Sequence, residues 1–177
     1  EGRTYVHAFD DEMVMAGQGT IGLEIVEDCP DVETVIVPIG GGGLISGIAT
    51  AVKAHDPDVR VIGVQAEGAS SAAESLRKGA IYERESVDTI ADGIATRRIG
   101  DRTFEVIRDR VDEVVTVDDE SIAIALTYLL EREKALAEGA GAISLAALLS
   151  GAIEYEEGEV IVPALCGGNI DLNVLTT

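Results

Sequence analysis

An open, mostly parallel α/β sheet flanked by helices is the fold class this sequence predicts, and three observations predict it. Apolar, largely β-branched runs at residues 33–39, 59–66, 113–117 and 159–165 alternate with stretches of helical spacing. Two of these runs end in glycine-rich loops, Gly40–Gly43 and Gly167–Gly168, the places where such sheets bind ligands. A length of 177 residues with 46% apolar content is enough for a folded core and argues against disorder.

Each element follows from local chemistry. Val14 to Asp28 carries apolar residues at mostly helical spacing and stops before Pro30. Residues 33–39 read as a buried strand, followed by the glycine loop and a helix over 44–54. His55-Asp56-Pro57-Asp58 is a turn, and 59–66 is a second strand too apolar to keep an exposed face. Ser70 to Lys78 is a short helix with Gly79 as its C′ residue. Residues 80–100 fit neither period and turn at Ala91-Asp92-Gly93. Arg102 to Arg110 reads as helix and Glu113 to Val117 as strand. Asp118 or Asp119 then caps a long helix to Glu138, with Ile122, Leu126, Leu129 and Leu130 as its apolar stripe. A small-residue helix over 141–150 leads to a last buried strand, 159–165, which closes on Cys166-Gly167-Gly168-Asn169.

The charge balance excludes whole classes of partner. Thirty-three acidic residues face thirteen basic ones, a net of −20, and only Lys53, Lys78 and Lys134 are lysines. No basic patch exists to meet a nucleic acid backbone. A surface this acidic on an ordinary core suggests adaptation to high salt, where screening removes the self-repulsion. Acidic runs such as Asp118-Asp119-Glu120 and Glu154-Tyr155-Glu156-Glu157 read as solvated surface. No apolar run is long enough to span a bilayer, and the expected location is cytoplasmic. Cys29 and Cys166 lack the spacing of a disulfide scaffold or zinc site, and His7 and His55 read as surface or cap histidines.

The glycine run carries the first functional expectation. A buried strand ends, the chain turns through residues without Cβ, and a helix begins with unpaired N–H groups at its positive dipole end. A phosphate is the natural guest, held by backbone alone, since no Lys or Arg lies between Asp31 and Ala51. A flexible linker would seldom be clamped between a β-branched run and an apolar helix. Two ligands fit. A dinucleotide is suggested by Gly41-Gly42-Gly43-Leu44-Ile45-Ser46, an approximate GxGxxG, with Glu67 placed as a ribose-binding acid. That reading leaves the Cys166-Gly167-Gly168-Asn169 loop unused.

The other ligand is pyridoxal phosphate. Six segments, in order, resemble the fold-type-II family, and most closely its threonine (serine) ammonia-lyases, or threonine dehydratases. They are Phe9-Asp10-Asp11, Ala16-Gly17-Gln18-Gly19-Thr20 with Gly22-Leu23-Glu24-Ile25, Val37-Pro38-Ile39-Gly40-Gly41-Gly42-Gly43-Leu44, Ile90-Ala91-Asp92-Gly93, Glu138-Gly139-Ala140-Gly141-Ala142 and Leu165-Cys166-Gly167-Gly168-Asn169. The resemblance implies a partial tryptophan-synthase-β-like fold. It implies that Gly40, Gly41, Gly42, Gly43 and Leu44 wrap the cofactor phosphate and that Cys166 faces the pyridine nitrogen. The alternative for Cys166 is a small buried hydrophobe. A thiol is too weak an acid–base partner to hold the ring protonated, which favours β-elimination over transamination. Gly93, beside Asp92, and Glu138 resemble positions lining the cofactor cleft; otherwise Asp92 fixes a turn and Glu138 caps a helix. Glu67 matches a cation-binding position in some relatives. The second acid, six residues on, is Ala73 here, which favours a monovalent over a divalent ion.

The family's Schiff-base lysine and its substrate-carboxylate loop lie upstream, and neither motif occurs here. The three lysines sit on predicted helices in polar surroundings. The expectation is therefore that residues 1–177 are the C-terminal part of a catalytic region, with no catalytic lysine of their own. The resemblance implies deamination of L-threonine to 2-oxobutanoate and ammonia, and of L-serine to pyruvate, by a homo-oligomer acting in amino-acid metabolism such as isoleucine biosynthesis. A serine or aspartate racemase of the same fold is the alternative, and a non-catalytic nucleotide-binding module is a third reading.

Overall fold

The computed structural model describes residues 2–170. Its central sheet contains β1 (Thr34–Pro38), β2 (Arg60–Ala66), β3 (Glu113–Val117) and β4 (Ile161–Pro163), ordered β3-β2-β1-β4 and parallel throughout. Around it run α1 (Glu12–Asp28), α2 (Gly43–His55), α3 (Ser71–Lys78), α4 (Asp101–Arg110), α5 (Asp119–Tyr128) and α6 (Gly139–Leu149).

Every residue of β1 is buried because helices cover both faces of the sheet. Val35 and Val37 join Val61 in a core with residues of α1, α2 and α4. Ile36 joins Ile62 and Val64 in the opposite core, against α5 and α6. The two cores are the physical meaning of runs that never alternate with polar residues. α1 crosses α2 at glycines: a Cβ on Gly47 would lie 2.5 Å from Gly19 N, and one on Gly22 would lie 2.9 Å from Ile48 O. Backbones can approach this closely only where side chains are absent.

Caps agree with the chemistry of the sequence. Asp11 accepts from Met13 N and Val14 N at the start of α1, and Asp118 accepts from Ser121 N at the start of α5. Gly79 closes α3 with φ +68. His7 acts as a turn acceptor, its Nδ1 receiving Asp10 N at 2.9 Å. Residues 80–100 are irregular apart from a 3₁₀ turn, Asp92–Ile94.

Three expectations need correction. The long helix to Glu138 is not formed. α5 ends at Tyr128, a π turn spans Leu129–Glu133, and Lys134 takes the left-handed conformation at φ 57. The chain then runs without helix to Glu138, which starts α6, and Leu130 is 46% exposed rather than part of the buried stripe. The last strand is short and half-buried, because β4 lies at the end of the strand order and Pro163 has no N–H to donate. Asp119 is more than solvated surface, since its carboxylate accepts from Thr89 Oγ1 and Ile90 N and pins that loop. Among the described residues, no helix is long and apolar enough to cross a membrane.

Candidate functional site

A cavity of about 450 Å³ opens at the carboxyl ends of β1 and β4. Gly40, Gly41, Gly42, Gly43, Leu44, Gly93, Glu138 and Cys166 all line it, so the structure brings eight expected residues to one place. Glu67 stands apart: it is exposed in the turn after β2 and does not line the cavity. Among the described residues there is no group of three or more His, Cys, Asp or Glu suited to a metal ion.

The glycine loop is shaped by what surrounds it. Gly42 has φ +97, and a Cβ there would lie 2.8 Å from the Thr103 side chain. A Cβ on Gly41 would overlap the Phe9 ring, and one on Gly43 would lie 3.0 Å from Phe9 Cα. The Gly41 carbonyl accepts from Thr103 Oγ1 at 2.7 Å and from Gly100 N at 3.2 Å, which ties the loop to the start of α4. α4 is held in turn by Asp10, whose carboxylate accepts from Asp101 N, Arg102 N and Thr103 N. The N–H groups of residues 40–45 make no hydrogen bond among the described residues. Six unpaired donors at the mouth of a 13-residue helix form a cradle for an anion. No lysine or arginine lines it. These features fit a phosphate ester.

The opposite side of the cavity belongs to α6 and the 166–168 loop. Glu138 is the N-cap residue of α6, but its side chain makes no capping bond. It turns instead towards Gly167 and Gly93. Its N–H donates to Gly167 O at 3.2 Å. Asp92 Oδ1 accepts from Gly93 N at 2.8 Å, so Asp92 does fix a turn. Cys166 is half-buried, and burial, followed by the nearby Glu138 carboxylate, pushes its thiol up to about 11. It is a neutral thiol at physiological pH.

None of the three lysines lines the cavity. Lys53 bonds Asp112 and Pro57 O, Lys78 stacks over Tyr82 and pairs with Glu74, and Lys134 bonds Glu131 O. A larger groove of about 540 Å³ lies at the amino ends of the strands, lined by Glu33, Asp56, Asp58, Arg60, Glu156, Glu157 and Glu159. Three of its carboxylates are engaged: Glu33 with Val160 N, Glu159 with Thr34 and Glu156 N, Asp56 with Asp58 N. The smaller cavity holds the unpaired donors and is the candidate site.

Sequence reasoning missed several residues here. Phe9 walls the glycine loop, Asp10 and Thr103 clamp it, and Thr96 lines the cavity with a buried hydroxyl lacking a partner among the described residues. Buried Gln65 donates from Nε2 to Ile39 O and accepts at Oε1 from Ala72 N and Ala73 N. Only the Phe9-Asp10-Asp11 motif and the polar break in the 59–66 run hinted at these roles.

Comparison with known proteins gives this geometry a context. Residues 1–167 match the model of the family described as pyridoxal-phosphate dependent enzyme. The chain is 53% identical over 175 residues to an L-threonine ammonia-lyase of Geobacter sulfurreducens, covering 99% of this chain and 43% of that protein. It is 48% identical to the catabolic L-threonine dehydratase TdcB of Escherichia coli, covering 98% and 53%. Among solved structures, maize serine racemase superposes with a TM-score of 0.94 at 41% identity, covering 99% of this chain and 54% of that one. The processed form of threonine deaminase isoform 2 from Solanum lycopersicum superposes with a TM-score of 0.90 at 36% identity, covering 99% and 49%. The chain thus spans about half the length of the curated relatives it matches.

Proposed function

Because the chain belongs to the pyridoxal-phosphate dependent enzyme family, we propose that its protein is an ammonia-lyase that deaminates L-threonine to 2-oxobutanoate, and L-serine to pyruvate. One observation carries the assignment to this cavity: the unbonded N–H groups of residues 40–45 and the thiol of Cys166 share it. Gly40, Gly41, Gly42, Gly43 and Leu44 would hold the cofactor phosphate, Cys166 would face the pyridine nitrogen, and Gly93 and Glu138 would line the ring's surroundings. Bound there, pyridoxal phosphate supplies an electron-accepting ring for the amino acid's α-carbon as its proton leaves.

The chain's own residues tune that chemistry. A neutral thiol cannot keep a pyridine nitrogen protonated as a carboxylate would. With the cofactor bound, a thiol partner would leave the electron demand of the ring moderate, a setting that suits elimination over transamination. Phe9, Val14, Ile94 and Leu44 give the cavity an apolar lining beside the glycine loop. The base and Schiff-base lysine come from elsewhere in the protein, because Lys53, Lys78 and Lys134 are committed to other partners. Residues 1–177 are then the C-terminal part of the catalytic region and inactive alone.

Three further properties belong to this reading. A net charge of −20 with three lysines supports a salt-adapted enzyme, and a cytoplasmic location is part of the same reading. A homo-oligomer belongs to the same reading, with exposed Met13 and Leu23 on α1 and Ile124 on α5 as apolar surface for a second copy to cover. A monovalent cation at Glu67, exposed in the turn after β2, belongs to the same reading. A second reading, amino-acid racemisation, is favoured by the high structural similarity to maize serine racemase.

The test is the visible absorption spectrum of the complete protein in molar salt, before and after L-threonine. A cofactor band that changes while 2-oxo acid accumulates supports the lyase. A band that changes without oxo acid, with D-serine forming from L-serine, replaces it with the racemase. No band after cofactor is supplied sinks both and returns the glycine loop to the nucleotide reading.

A further inference from the structure

We propose that Glu138 is a positioning residue for Cys166: its backbone fixes the 166–168 loop, and its carboxylate opposes negative charge on the Cys166 sulfur. The inference deepens the cofactor reading and rests on it for its catalytic consequence, but not for its test.

The geometry is built from both halves of the residue. Glu138 N donates to Gly167 O at 3.2 Å, so the loop is tied to the start of α6. Gly141 lies under the same peptide, where a Cβ would sit 2.7 Å from Cys166 O. The carboxylate lies in a slot that only glycines leave open. A Cβ on Gly167, which has φ +99, would fall 2.7 Å from Glu138 Cδ, and one on Gly93 would fall 3.0 Å from Glu138 Oε1. No hydrogen bond neutralises this carboxylate among the described residues. It makes no side-chain cap bond to α6 either.

Other charges around the sulfur do not offset it. Asp92 is engaged with Gly93 N, and Asp10 is engaged with the first turn of α4. The glycine loop and the first turns of α2 and α6 carry no ionisable side chain, and α1 presents Val14 and Gln18. The amino end of α6 acts in the opposite sense, favouring a thiolate. Burial and Glu138 prevail over it and push the thiol up to about 11. The consequence for the cofactor is specific. A thiolate would pair with a protonated ring nitrogen and strengthen the electron sink, whereas a thiol held neutral keeps the ring in the state suited to elimination.

The experiment is alkylation of Cys166 by iodoacetamide in the complete, cofactor-free protein, followed by peptide mass spectrometry from about pH 7 to about pH 11. Glu138→Gln should raise the rate at about pH 8.5 roughly three- to tenfold and move the profile to lower pH, since the thiolate fraction follows the local charge. Glu138→Asp should restore slow, wild-type-like alkylation. An unchanged profile in Glu138→Gln overturns the inference. So does acceleration in Glu138→Ala but not Glu138→Gln, which would mean that bulk alone covers the sulfur. These outcomes are read without catalysis, so they stand apart from success or failure of the lyase assignment.

Discussion

Replacing Gln65 by leucine probes how the glycine loop is rooted. Gln65 is fully buried near the end of β2, and its amide spans three elements. Nε2 donates to Ile39 O at 3.2 Å, just before the loop, and Oε1 accepts from Ala72 N at 2.8 Å and Ala73 N at 3.1 Å. The Ser70 side chain makes no cap bond at the start of α3, so the Gln65 amide supplies the cap from another strand. Leucine matches the volume but leaves two donors and one acceptor unpaired. A buried group without its partner costs about 1–3 kcal/mol, and Ala73, being partly buried, falls at the low end. The added apolar burial returns about 1 kcal/mol. The expected net loss is therefore about 3 kcal/mol, measured by urea denaturation of the complete protein without cofactor. Because Ile39 O is also released, cofactor affinity should fall about tenfold, the equivalent of about 1.4 kcal/mol. A stability loss below about 1 kcal/mol would refute the reasoning, since it would mean that water or a shifted backbone satisfies all three groups.

Other substitutions separate the loop's shape from its supports. Gly42→Ala places a Cβ on a residue at φ +97 beside Thr103. It should cost about 1–2 kcal/mol in backbone strain and weaken cofactor retention, read by equilibrium dialysis; unaltered retention would contradict the cradle. Asp10→Ala removes the acceptor for three N–H groups of α4 and should lower stability by about 1–2 kcal/mol, with Asp10→Asn losing less; equal losses in the two variants would count against a cap. Glu159 is held below the ordinary carboxylate range by the Thr34 hydroxyl first, then by Glu156 N–H and by Arg60. A lowered folded value contributes stability above the unfolded value that is lost as pH falls through the folded one. Glu159→Gln should therefore lower Tm at about pH 7, and the deficit should shrink as the pH falls below the ordinary carboxylate range. A deficit that stays constant with pH would show that packing, not charge, matters there.

Much of this architecture is legible in local sequence. β-branched runs without alternation demand two covered faces, and β1 and β2 are those runs, while β3 at the end of the strand order is only partly buried. Gly79 and the Gly40–Gly43 run mark places where the chain needs freedom from a Cβ, and both stand at helix ends. The row of unpaired N–H groups at residues 40–45 is legible for the same reason: it follows from a strand, a glycine turn and a helix in immediate succession. Periodicity failed after Tyr128, where Ile122, Leu126 and Leu129 do form one buried stripe. A helical period states which side faces inward but not where the helix must stop. Here the chain leaves through a π turn, buries Ala137 and delivers Glu138 to the cavity. The clamp of Asp10 on α4, 91 to 93 residues away, and the cap that Gln65 provides to α3 were equally hidden. Turns, caps and buried faces are settled by neighbours in sequence. Partners for a carboxylate or a buried amide are settled by whichever backbone donors the folded chain leaves unpaired nearby, and only the tertiary structure decides that.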